Sequence, residues 1–491
     1  MVLTFDFSLK NMILIFLILI PLLSGIMSFA VKGDGAKALA LISSMLTLAV
    51  AAYVSGANYT APVTYNHEWI PIIGTQFSVV GDGMSSMLCL LTGIVVMVVM
   101  IVSVNKEVEK PGAFYGFLLL SQAGLMGVFL AYDALVFYVF WELALIPVYF
   151  LCSRWGGEKR IPVTFKFFIY TFVGSLMMLA GLIFLSMQTP GLTSYSWGDI
   201  VRAGSALPPQ TQQWLFWLIF IAFAIKMPIF PFHTWQPDTY EQSPTPVTII
   251  LSALMVKMGL YAVLRWLLPV LPAGVAYWSD TVVIMSVIGI VYASCIAIVQ
   301  TDLKRLIAYS SIAHMGLMSA VAFTHSSVGM HGIMVQMFNH GINITGMWVM
   351  VSMIENRWGT RDMTKLGGMA SLAPNMAIAL VLISLANIAL PLTNGFVGEF
   401  MLFNGLFRGD SANHITLMVV AGLGVILGAV YTLNMIQKTA YGNAVTMVIS
   451  KDLSVNEYIG LAIIISLVIF LGVYPKPLLD LTAGIAGMIV K

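Results

Sequence analysis

The sequence predicts an all-α polytopic membrane protein of about fourteen transmembrane helices. Three observations carry that prediction. The chain has 491 residues, of which 59% are hydrophobic and only 9% charged, and its mean hydropathy is +0.94; soluble domains are about a quarter charged. Apolar runs of about 18–25 residues, each long enough to cross a bilayer, recur from end to end. Lysine and arginine gather in alternate loops, with fifteen after odd-numbered runs and six on the other side or at the termini. Basic loops stay cytoplasmic, so both termini are expected on the outside, and the protein is expected in a bacterial inner membrane.

In order, the expected spans are 12–30, 37–54, 83–104, 113–131, 134–152, 166–187, 213–232, 246–268, 281–299, 304–323, 328–353, 374–404, 413–437 and 457–474. The first run is expected to be retained, because it lacks a small-residue cleavage site and many similar runs follow. Between the second and third, "YNHEWIPIIGTQFSVVGDG" reads as an exposed loop. Span seven is interrupted at Pro228 and Pro231, and span twelve at Pro391, Asn394 and Gly395. Paired interruptions five spans apart predict an inverted repeat of spans 4–8 on spans 9–13. One membrane domain, 1–491, then comprises three N-terminal helices in 1–110, a first half in 111–270, a second in 271–440, and a last helix and tail in 441–491. Irregular backbone at membrane depth survives only inside protein or beside water, so both breaks are expected to line a wet interior.

Four ionisable residues lie well inside spans: Glu142, Lys226, Lys257 and Glu399. A central lysine costs roughly 2.5–3.5 kcal/mol on insertion scales, so some interaction or function offsets two of them. One reading is a buried Glu142–Lys226 ion pair that fixes packing; it leaves Lys257 and the helix breaks unexplained. The other is a proton relay, the usual use of intramembrane ionisable groups. Histidines extend it: His233 follows the first break, His314 lies mid-span in "LIAYSSIAHMGLMSA", and His340 lies beside Gln336, Asn339 and Asn343. Singly, a buried histidine is more often just hydrogen-bonded; together in so apolar a chain they point to proton traffic near neutral pH. His325 and His331, near span ends, read as interfacial. Tyr309, Ser310 and Ser311 serve either to hold water or to tie helices together.

Other chemistries find little support. Cys89, Cys152 and Cys295 form no C-x-x-C pair and read as small apolar residues. The net charge of +2 gives no ground for nucleic-acid binding. Gly422, Gly424 and Gly428 follow no strand and read as close-packing positions, not a nucleotide fingerprint.

"KMPIFPFHTWQPDTYEQSPTPVTIILSALMVKMGLYAVLR" and "TDLKRLIAYSSIAHMGL" resemble the two signature stretches of the antiporter-like subunits of proton-pumping NADH:quinone oxidoreductase (respiratory complex I) and of Mrp cation/proton antiporters. Glu399 in "GFVGEF", where other branches carry lysine, and the short tail after span fourteen resemble the M-type branch. Two stretches depart from the family. "DTYEQSP" replaces D-A-H-T-E-A-P, putting Tyr240 and Gln242 where a histidine and a glutamate are usual, and "LPLTNGF" lacks the usual proline–glycine turn.

The resemblance implies that Glu142 pairs with Lys226 and modulates it. Lys226 then passes a proton to Lys257 through water and histidines such as His233, His314 and His340 continue the line, and Glu399 is the terminal site. It also implies L-type and N-type neighbours in a membrane arm, with FMN, iron–sulfur clusters and quinone held by partner subunits and no cofactor in this chain. The alternatives are an Mrp-type sodium/proton antiporter subunit and a scaffold whose buried charges only pack helices.

Overall fold

Helix covers most of each expected span in the computed structural model, which describes residues 9–56, 62–189, 193–442 and 452–489; the chain leaves helix at 227–235 and 388–393, inside the seventh and twelfth spans. Lys451 and Lys491 of the charge count lie outside them. The first six helices are α1 (Leu9–Ser28), α2 (Asp34–Gly56), α3 (Gly83–Ser103), α4 (Pro111–Leu130), α5 (Ala134–Trp155) and α6 (Arg160–Met187). A short connecting helix, α7 (Trp197–Ser205), leads to the broken seventh span, α8 (Pro209–Lys226) and α9 (Gln236–Gln242). The eighth span, Thr245–Leu267, contains α10 (Thr245–Ile249) and α11 (Val256–Ala262), each followed by a wide π turn. Then come α12 (Pro272–Val299), α13 (Leu303–Ala322), α14 (Ser327–Trp358) and a linker helix, α15 (Met369–Leu372). The broken twelfth span is α16 (Pro374–Asn387) and α17 (Asn394–Phe407), followed by α18 (His414–Ala440), α19 (Val455–Val473) and α20 (Lys476–Ile489).

Among the described residues, nine helices are individually long and apolar enough to cross a membrane, and α1 and α16 contain shorter apolar stretches. Helices α8, α13 and α14 are less apolar because they carry the glutamines, asparagines, lysines and histidines of the interior. Thr245–Leu267 is buried along its whole length and forms the axis on which both halves pack.

Three sequence expectations are corrected. The loop between spans two and three is a hairpin, β1 (Val63–Ile70) and β2 (Thr75–Gly81), paired antiparallel with Tyr65 opposite Val79. Its β-branched and aromatic residues suit a pleated surface, and Gly74, at φ +71°, closes the turn. No side chain fits there, since a Cβ would stand 1.7 Å from the Thr193 carbonyl oxygen. Arg265, counted as an external loop cation, lies inside the eighth span and pairs with Asp82, the N-cap of α3; both are buried. Lys304, counted as a cytoplasmic loop cation, is buried in the first turn of α13, because Asp302 caps the helix two residues earlier.

Candidate functional site

Lys257 on α11 has no contact with solvent. Its Nζ donates to the Ser252 carbonyl at 3.0 Å and lies 2.7 Å from His340 Nδ1. Ser252 belongs to the π turn Ile250–Met255, where the ordinary i→i−4 ladder is interrupted and carbonyls become free to accept other donors. The His340 ring faces that of His314, with centroids 5.4 Å apart. His314 Nδ1 in turn lies 3.0 Å from Glu399 Oε1, to which Gln336 Nε2 donates at 3.4 Å. Lys257, His340, His314 and Glu399 thus form one line across α11, α14, α13 and α17. The Nε2 atoms of both histidines are buried without a protein partner, and such atoms are ordinarily satisfied by ordered water.

The break in span twelve explains the amides beside His340. Gln336, Asn339, His340 and Asn343 recur at the spacing that aligns one helix face. Asn339 Nδ2 donates to the Asn394 carbonyl at 2.7 Å, and Asn343 Nδ2 to the Ala386 carbonyl at 3.1 Å. These carbonyls flank the interrupted segment, whose Ala389 and Leu392 have positive φ. The same face of α14 therefore carries His340 and the donors that hold the break open. Gly398 lets α17 approach, since a Cβ there would meet Gln336 Oε1 at 2.1 Å.

The seventh span is built differently. Lys226 ends α8 and is buried, with Nζ 5.6 Å from the centre of the Trp141 ring and 5.9 Å from that of Phe167. Neither Lys226 Nζ nor Glu142 Oε1 has a hydrogen-bond partner, so the pair implied by the resemblance is not closed, although each lies within electrostatic reach of the other. Aromatic faces attract a cation without neutralising it. The seventh-span break is held by the Trp235 indole, whose Nε1 donates to the Ile225 carbonyl at 3.0 Å, and by Lys166, whose Nζ donates to that of Thr234 at 2.9 Å. His233 is buried against Phe230 and Tyr292, with no printed contact to either lysine. Between the two lysine-bearing segments, α8 and α11 touch at Gly259, where a Cβ would meet the Phe223 carbonyl oxygen at 2.7 Å.

Ser310 ties helices together, accepting from Tyr431 at 2.9 Å and from Asn387 at 3.2 Å, whereas the buried Ser311 hydroxyl has no partner. His331 contacts the Leu479 carbonyl of α20, and His325 lines an outward-facing cavity with Asp280, Asp410 and His414. The cysteines stand on three separate helices, Cys152 Sγ lying 3.1 Å from Ser243 Oγ. Lys304, absent from the expected site, contacts the Ser243 carbonyl at 3.3 Å and Glu355 at 3.6 Å beside a cavity of about 270 Å³ at the basic-loop end of the helices.

A chain of broken helices around a buried cation–imidazole–carboxylate line defines the class of antiporter-like membrane proteins. The comparisons make that class specific. Residues 131–428 match the family described as NADH:quinone oxidoreductase/Mrp antiporter, TM. The NADH-quinone oxidoreductase subunit M of Rickettsia typhi is 35% identical over 447 residues, covering 90% of this chain and 89% of that one. That of Escherichia coli K12 is 33% identical over 503 residues, covering 97% of each. A chain of respiratory complex I from Thermus thermophilus superposes with a TM-score of 0.87 at 27% identity, covering 97% of this chain and 99% of that one. A chain of the Mrp complex from Dietzia sp. DQ12-45-1b gives 0.84 at 22% identity, covering 98% of this chain and 52% of that one, a likeness of fold. The chain belongs to the NADH:quinone oxidoreductase/Mrp antiporter transmembrane family and is a multi-pass membrane protein.

Proposed function

We infer that the chain is the M-type proton-translocating subunit of the membrane arm of an NADH:quinone oxidoreductase. It would lie in a bacterial inner membrane between L-type and N-type neighbours, with both termini outside. The observation that carries this reading is the line Lys257–His340–His314–Glu399 in a chain whose subunit M relatives align over nine-tenths of its length or more. Lys257 gives its proton to His340 Nδ1; His340 releases one from Nε2 through water to His314, which delivers to Glu399. Lys226, held among aromatic rings, senses Glu142 through space and biases the charge on Lys257. Spans 4–8 and 9–13 act as two related halves, the first holding both lysines and setting the field, the second conducting from His340 to Glu399. Partner subunits hold FMN, iron–sulfur clusters and quinone, and these supply the redox energy. Moving one charge against 100 mV costs about 2.3 kcal/mol, which that energy must cover.

The test is the proton-to-electron ratio of the assembled complex in proteoliposomes. Glu399→Gln and Lys257→Met are expected to lower pumping at least about tenfold, or about 1.4 kcal/mol in barrier, while the complex still assembles. A normal ratio in either variant sinks the reading. An Mrp-type sodium/proton antiporter is the second reading, favoured by the shared fold. It loses on the closer matches to subunit M, which cover about nine-tenths or more of both chains, and on the acidic Glu399, and sodium-driven proton movement without NADH would restore it.

A further inference from the structure

Among the buried polar side chains outside that line with atoms lacking a protein partner, three lie together: Tyr240 through its hydroxyl, Gln236 through both amide atoms, and Trp348 through its indole nitrogen. All three residues are fully excluded from solvent, where an unsatisfied polar group is costly. They also cluster. Tyr240 and Gln236 share the seven-residue helix α9, and the Tyr240 ring packs edge-on against Trp348 at 5.7 Å. The Gln236 amide approaches the phenol without closing a hydrogen bond.

The cluster lies between two features already described. On its basic-loop side is the cavity of about 270 Å³, whose walls include Glu241, next to Tyr240, and Ser352, one turn from Trp348 on α14. On its inner side is His340, eight residues before Trp348 on the same helix, or about 12 Å at 1.5 Å per residue. His340 Nε2 is likewise buried and unpartnered. Polar atoms lacking partners thus continue from a solvent-filled mouth towards the start of the proton line. Ser311, with its unpartnered hydroxyl, lies on α13, the helix against which α9 packs.

We propose that Tyr240, Gln236 and Trp348 hold a file of water that feeds protons from the cytoplasmic cavity to the His340–Lys257 pair, with Tyr240 as its positioning residue. Phenol, amide and indole differ in their capacities. The hydroxyl both donates and accepts, the amide does so at two atoms, and the indole only donates. Such a set can orient water in one direction, with Trp348 fixing an oxygen and Tyr240 passing a hydrogen bond onward. Uptake at Lys257 then needs no passage through Lys226. The proposal rests on the proton-translocating role of Lys257 stated above.

Tyr240→Phe removes one oxygen and no protein hydrogen bond. In the assembled complex in proteoliposomes, it should lower proton pumping severalfold with unchanged subunit content. Tyr240→His, which restores a side chain able to donate and accept, should recover most of that loss. Gln236→Leu should reduce pumping in parallel. If the hydroxyl is instead dry, Tyr240→Phe raises the thermal midpoint of the complex and leaves pumping at the wild-type rate, which overturns the proposal. Lys257→Met separates the two levels. Loss of pumping there with wild-type pumping in Tyr240→Phe rejects the water file alone, whereas wild-type pumping in Lys257→Met rejects the role it depends on.

Discussion

Two lysines buried in the first half of this molecule, one in its broken seventh span and one in its eighth, are housed in opposite ways. The seventh span sets Lys226 among Trp141 and Phe167 and leaves its nitrogen without a hydrogen bond. The eighth gives Lys257 a carbonyl and, from the second half, an imidazole, and the line continues there through His314 to Glu399. Even the helix breaks follow suit, held by an indole and a lysine in one half and by asparagines in the other. The contrast teaches that a repeated architecture does not impose a repeated chemistry. Aromatic faces attract a cation without bonding it, whereas carbonyls and imidazoles hydrogen-bond it directly.

That contrast can be broken most severely at the helix contacts. Gly259→Ala is expected to cost more than Gly398→Ala, because the first added methyl meets backbone atoms of α8 and the second meets mainly the movable side chain of Gln336. Overpacking of this kind costs about 1–3 kcal/mol, read as a fall in the thermal midpoint of the assembled complex; equal falls would show that the two contacts yield alike. A sharper comparison uses double-mutant cycles on stability. His314→Ala with Glu399→Gln should show a coupling of about 0.5–3 kcal/mol, and Glu142→Gln with Lys226→Met less than about 1 kcal/mol. A larger coupling in the first half would mean that its ion pair closes after all.

The smallest effects lie in the linkers. Ser196→Ala removes the N-cap of α7 and should cost about 1 kcal/mol. Asp199, which accepts from the Ser194 and Ser196 hydroxyls, and Asp362, which accepts from Thr364, are both held below the usual carboxylate range by those bonds. A depressed folded-state value means that their stabilisation is complete above the ordinary aspartate range and is lost as pH falls through it. Thermal midpoints measured at decreasing pH should therefore fall less steeply in Asp199→Asn than in the unsubstituted protein.

Much of this was legible in the sequence. Spans and breaks were readable because apolarity, proline and glycine act locally. Glu142, Lys226, Lys257 and Glu399 stood out because a charge in an apolar run has few explanations. What sequence could not supply was adjacency. That His340 meets Lys257 and His314 meets Glu399 depends on how four helices pack, and Lys226 proved to face rings from α5 and α6. Arg265 and Lys304 were misplaced for the same reason, since their burial depends on the remote Asp82 and Glu355. The hairpin was hidden because a strand of "VTYNHEWI" alternates too weakly in polarity to announce itself.

The bond from Lys257 to the Ser252 carbonyl gives the molecule an unusual freedom. An ammonium that leans on its own helix has a resting place that neither fills nor empties with anyone else's titration. The seat of the side chain is therefore set by the backbone of its own span and stays in place whatever the surrounding carboxyls do.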